Sequence, residues 1–126
     1  MDNEPRVRAS EIPAGIRPTV QAVRRMVKTV VPRAREVAYR GRPPRSARAM
    51  WKIARYFVNE DAVAGIGVYP TYAVLFFFRG RELQASNPGL EGRGKELRFL
   101  RLHSAPEATC PAVRRLVRSA FRLART

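Results

Sequence analysis

The chain is poor in residues that staple a fold or hold a metal. It has one cysteine, Cys110, so it cannot form an intramolecular disulfide, and one histidine, His103. No grouping of these has the spacing of a structural zinc site. Carboxylates are scarce as well: ten stand against 25 lysines and arginines. Long apolar runs are missing. The longest, Tyr72 to Phe78, falls far short of the ~20 residues a membrane-spanning helix needs. The opening Met1-Asp2-Asn3-Glu4-Pro5 has no positive region followed by an apolar stretch, so it does not read as a signal peptide. These deficits point to a reduced, cytosolic setting.

What is present is positive charge. The formal net charge is +15, and only Lys28, Lys52 and Lys95 among the 25 basic residues are lysines. GC-rich codon usage accounts for the choice of arginine over lysine, but not for the missing carboxylates. A surface this positive attracts polyanions, with or without an evolved site. A length of 126 residues with 45% hydrophobic composition leaves room for one domain. Such a chain buries roughly two-thirds of its unfolded surface, enough for a core without staples.

Residues 1–12 carry no periodicity and read as a flexible N-terminal arm, and residues 13–126 as a single domain. Ile16, Val20, Val23, Val27 and Val30 recur at helical spacing, with Pro18 in the first turn and Pro32 as the stop. Arg17, Arg24, Arg25 and Lys28 occupy the other side of that helix. A short strand is predicted over Glu36 to Arg40, followed by a broken basic stretch, Gly41 to Arg45. Met50 to Val58 fits either period and is assigned to a strand because clear strands follow, at Ala62 to Tyr69 and Tyr72 to Arg79. Glu60-Asp61 and Pro70-Thr71 mark the turns. Val74 to Phe78 scarcely alternates, which predicts a strand covered on both faces, by helices or by the curl of the sheet. A last strand is expected over Glu96 to His103, with Arg98, Leu100 and Leu102 on one face. The final helix has Thr109 as candidate N-cap, Pro111 in its first turn, and Val113, Leu116, Val117, Ala120, Phe121 and Ala124 as its buried stripe. The fold class is α+β: a helix, a five-stranded antiparallel sheet and a helix, with both terminal helices packed on the sheet.

Catalysis finds little support. His103 and Ser104 are neighbours on an extended segment and point to opposite faces, so they are not a dyad. Cys110 beside Pro111 lies at a helix start, where a thiolate is favoured, but it has no partner base in sequence. The glycine-rich loop offers more. Gly92-Arg93-Gly94-Lys95, with Arg98 beyond, exposes backbone amides among cations and is a candidate anion site. An ordinary loop whose glycines supply positive φ is the alternative. Its spacing is not that of a nucleotide-hydrolase phosphate loop, and Glu96 stands where Ser or Thr would hold magnesium. Arg114, Arg118, Arg122 and Arg125 run down one side of the last helix as an accessory basic face. With the Arg40 to Arg48 segment they suit phosphate tracking, and Tyr56, Tyr69 and Tyr72 are candidate base-stacking rings if exposed.

Two stretches carry a family resemblance. Pro32, Glu36-Val37, Tyr39, Gly41 and Pro43 resemble the opening motif of the YdhG-like domains. Phe78, Gly80, Leu83, then Pro88, Leu90-Glu91-Gly92, Gly94-Lys95 and Arg98 are similar to that family's most recognisable signature. The resemblance spans about Ile16 to Phe121. It implies a frataxin-like sandwich, in a family largely of unknown function that includes a bacterial iron chaperone serving iron–sulfur cluster and haem assembly. Carriers of that kind use acidic surface residues, and here the candidates are Glu60 and Asp61. Two expectations follow. The first is a non-enzymatic module without cofactor whose partner is anionic: nucleic acid, a phosphorylated ligand or an acidic protein. The alternative is iron delivery through Glu60 and Asp61.

Overall fold

The valines spaced by three and four form helix α1, Arg17–Val30, which buries Val20, Val23, Met26 and Val27. Pro18 sits in its first turn, where a missing N–H costs nothing. Val31 closes it with an N–H to the Val27 carbonyl at 2.8 Å, and Pro32 prevents continuation. The computed structural model describes residues 11–124. After α1 come β1 (Arg35–Ala38), β2 (Trp51–Val58), β3 (Asp61–Tyr69), β4 (Tyr72–Phe77), α2 (Gly80–Gln84), β5 (Arg98–Leu102), α3 (Ala105–Ala108) and α4 (Pro111–Leu123). The strands pair antiparallel in sequence order, β1-β2-β3-β4-β5. Both central hairpins turn within two residues. Val58 pairs with Asp61 across Asn59-Glu60, and Tyr69 with Tyr72 across Pro70-Thr71. Asn59 has φ 56°, a left-handed conformation that asparagine tolerates better than most residues.

All four helices of the described residues lie on one side of this sheet. Ala73, Leu75 and Phe77 of β4 join Val23 and Val27 of α1, Leu83 of α2, Ala108 of α3 and Val117 and Phe121 of α4 in a single buried cluster. Val74 and Phe76 point to the opposite side and are nevertheless only 3% exposed. No helix of the described residues covers them there. Their register partners on β3 are Gly67 and Gly65, and a side chain at Gly65 would collide with the Phe76 ring, one at Gly67 with Met50. The Phe76 ring fills the space a side chain at Gly65 would take and meets Phe78 edge-on, so its burial on this side comes from within the sheet. Among the described residues no helix lies on the opposite face of the sheet.

Several local expectations are corrected. Ile12, placed in the flexible arm, is buried, and its carbonyl accepts a hydrogen bond from Arg17 Nη2 at 2.8 Å. Glu11 of the expected arm is exposed, and residues 1–10 lie outside the described residues, as does Arg125. Thr109 does not cap the last helix: it terminates α3, its Oγ1 donating to the Ala105 carbonyl at 3.1 Å. Cys110 is the N-cap of α4, with Pro111 in the first turn as predicted. α3 itself starts on Ser104, whose Oγ accepts the Glu107 N–H. The Ser-x-x-Glu pattern of a helix start stands there in the sequence. No helix among the described residues is long and apolar enough to cross a membrane.

Candidate functional site

The two sites expected from sequence fare differently. In the glycine loop an isolated bridge joins Glu91 to Phe99, and Gly92 takes φ 126°, so this glycine is required. Arg98 does not face solvent from that loop. Its Nε donates to Gln84 Oε1 at 3.0 Å and its Nη1 to the carbonyls of Gly94 and Leu97 at 2.6 and 2.8 Å. Its stem packs where a side chain at Gly80 would be. Arg98 therefore fastens α2, the loop and β5 together, while Arg93 and Lys95 are exposed. Glu91 pairs with Arg101 at 2.9 Å, not with Arg98. The basic face of α4 divides as well. Arg114 Nε donates to the Thr109 carbonyl at 2.8 Å, whereas Arg118 and Arg122 join Arg33 around a hollow of about 150 Å³.

Glu60 and Asp61 are exposed neighbours at a turn, and Asp61 borders a hollow that it shares with Arg79. Among the described residues no group of three or more His, Cys, Asp and Glu side chains is placed to hold a metal ion. His103 Nδ1 lies 3.2 Å from Glu107 Oε1. The backbone N–H of His103 donates to that same carboxylate and, with His103's ring, holds it below the usual carboxylate range.

Tyr56, a candidate stacking ring by sequence, is 2% exposed and faces α1. Its hydroxyl donates to Glu36 Oε2 at 2.7 Å, and Arg24 grips the same carboxylate through Nε and Nη2 at 3.1 and 2.8 Å. Burial raises the Tyr56 pKa, and the bond to Glu36 and its charge raise it further. For Glu36 burial acts upward too, but the hydrogen bonds from Arg24 and Tyr56 outweigh it and the net shift is downward. The stability this ionised carboxylate contributes is therefore present above the ordinary value of 4.5 and lost as pH falls through its lowered folded pKa. Glu36→Gln is expected to cost about 1 kcal/mol at neutral pH, a modest figure because the pair is partly solvated. It also flattens the acid limb of stability against pH, as urea unfolding across a pH series would record. An unchanged acid limb would place the proton linkage elsewhere.

The feature that sequence reasoning missed is the open face of the sheet. Arg55 Cζ lies 4.8 Å from the Tyr39 ring centroid and 5.3 Å from that of Phe57. Lys52 Nζ stands over Tyr39 at 5.6 Å and Arg35 over Phe57 at 5.0 Å. Further across, Tyr69 and Tyr72 stack at 4.8 Å, with Arg101 5.8 Å and His103 5.6 Å from the Tyr72 ring. The strand carboxylates are turned away: Glu36 towards α1, Asp61 into the hollow beside Ala120 of α4. Glu91, at the rim, is paired with Arg101. Arg55 Nε is buried and has no hydrogen-bond partner among the described residues. Strict alternation would put Lys52 and Arg55 on opposite faces. An irregularity in β2 between Lys52 and Ala54 shifts the register and brings both over the same ring.

Such a surface can engage a chain that carries phosphates and flat rings together. A cation over a ring at an exposed site is worth about 0.5–1 kcal/mol, and a base stacked on an aromatic side chain about 1–3 kcal/mol. An incoming base therefore gains more than the displaced cation loses, and the freed cation remains to meet a phosphate. Compared with family models, with characterised proteins and with solved structures, the chain matches none of them.

Proposed function

We propose that this chain is a non-enzymatic binding module for nucleic acid, with the open face of its sheet as the interface. The observation that carries this is the alternation of Arg35, Lys52, Arg55 and Arg101 with half-buried rings on a face where, among the described residues, the carboxylate partner is Glu91 at its rim. A frataxin-like sandwich of the YdhG-like kind is part of the same proposal: the two long helices α1 and α4 bracket the five antiparallel strands, with the short α2 between β4 and β5 and α3 before α4. Arg93 and Lys95 on the loop, and Arg118 and Arg122 on α4, then serve as outlying electrostatic contacts.

The test is fluorescence anisotropy of labelled oligonucleotides titrated with protein across a salt series. Binding that survives near-physiological salt, with a slope reporting several phosphates, is the expected result. Binding that collapses with salt and prefers no polyanion would make the charge incidental. Attention would then turn to iron titration at Glu60 and Asp61.

A further inference from the structure

We propose that the apolar pocket at the Trp51 end of the sheet receives one unpaired base, so that the module selects single-stranded over duplex nucleic acid. This rests on the open-face proposal above and adds a specific contact to it. Pro13, Pro44, Trp51, Val68, Tyr69 and Pro70 line the pocket, whose volume is about 250 Å³. That lies just below the ~300–1,000 Å³ of ordinary small-molecule sites, so it suits a single ring-sized group rather than an extended ligand. Its walls are stiff. Three are prolines, and the Trp51 indole N–H donates to the Gly41 carbonyl at 3.3 Å, tying the 40–49 segment to the sheet.

Charge decides what kind of ring enters. From Val37 to Asn59 the chain has no acidic residue, and Arg42, Arg45 and Arg48 are exposed on the segment that forms one wall. An apolar group arriving there must come attached to negative charge, which describes a base on a phosphate backbone. Position connects the pocket to the interface. Tyr69 borders the pocket and stacks on Tyr72, which in turn lies beneath Arg101. A strand crossing the open face at Arg101 and Tyr72 reaches the pocket by way of Tyr69. A duplex keeps its base faces stacked and has no ring to insert; recognition of single strands by splayed bases on aromatic side chains follows from that difference.

Trp51 is the sole tryptophan, so its emission reports this pocket in the intact chain. The experiment titrates the protein with a short single-stranded oligonucleotide, its duplex, and an abasic strand with the same number of phosphates, at near-physiological salt. The single strand is expected to quench Trp51 and to bind about tenfold more tightly than the abasic strand, as one stacked base would contribute. The abasic strand should leave the emission unchanged. Ala49→Phe, at an exposed position on the pocket wall, should abolish the preference for the base-bearing strand while leaving the salt slope intact. Binding without a change at Trp51, or a base preference that survives Ala49→Phe, overturns the pocket assignment and leaves the open-face interface standing, whereas equal affinity for the abasic strand overturns base contacts at both. Quenching by an acidic peptide bearing one phenylalanine, as strong as by the oligonucleotide, would reassign the pocket to a protein partner. Failure of every strand to bind would overturn both proposals together.

Discussion

Replacing Lys52, Arg55 and Arg101 together by alanine is expected to weaken single-stranded oligonucleotide binding by roughly 50-fold at ~0.15 M salt. The figure follows from counterion release. Each phosphate contact on a single strand contributes a salt slope of ~0.7, which at that salt amounts to about fourfold per contact. The slope of log affinity against log salt should become shallower by about 2 in the same experiment. The three side chains stand over Tyr39, Phe57 and Tyr72, and Arg101 also pairs with the exposed Glu91, so folding should stay cooperative at a cost of only ~2 kcal/mol in lost cation–ring contacts and one solvated ion pair. The matched control is Arg93→Ala with Lys95→Ala, which strips two exposed cations from the glycine loop. If the loop pair loses more affinity than the sheet triple, the interface lies at the loop and the open face is merely cationic.

Phe77→Ala is expected to destabilise the domain by about 3–5 kcal/mol. Phe77 is fully buried, sits in β4 opposite Ala64 and Arg98 in register, and belongs to the cluster that joins the sheet to its helices. Against a total of roughly 5–15 kcal/mol for an ordinary domain, such a loss is a large share. Urea unfolding should show a lower midpoint with little change in its denaturant dependence. Tyr72→Ala, on the open face and half-buried, should cost far less, because solvent already reaches one side of the ring. Equal costs for the two would mean that the sheet has no open face, and the proposed interface would lose its surface.

Much of the fold was legible because strong local signals coincide with the tertiary arrangement. The valine spacing of α1 is bounded by Pro18 and Pro32, and the apolar stripe of α4 begins at Pro111. The Pro70-Thr71 turn lies where it was expected, whereas the first turn falls at Asn59-Glu60, one residue before the expected Glu60-Asp61, because Asp61 already pairs with Val58. Even the inward placement of Arg98 beside Leu100 and Leu102 followed from alternation. α2 and α3 were not anticipated, since five and four residues are too few to establish a helical period. The candidate site was far less legible. Arg98 looked like a ligand-binding cation and instead satisfies carbonyls of its own loop. Tyr56 looked like a stacking ring and is committed to Glu36.

By itself the sequence determined the order of the five strands and the two long helices, the stripes that those helices bury and a surplus of positive charge. Those properties depend on neighbours a few residues apart, where backbone period and proline chemistry decide the outcome. Only the tertiary structure decided where that charge is presented. The register shift in β2 set Lys52 and Arg55 over one ring, Gly65 made room for Phe76 and Gly67 for Met50, and Glu36 was drawn to Arg24 across the sheet from them. Each of these depends on contacts between segments distant in sequence, and a cation's availability to a partner is fixed by which carboxylates and rings the fold places beside it.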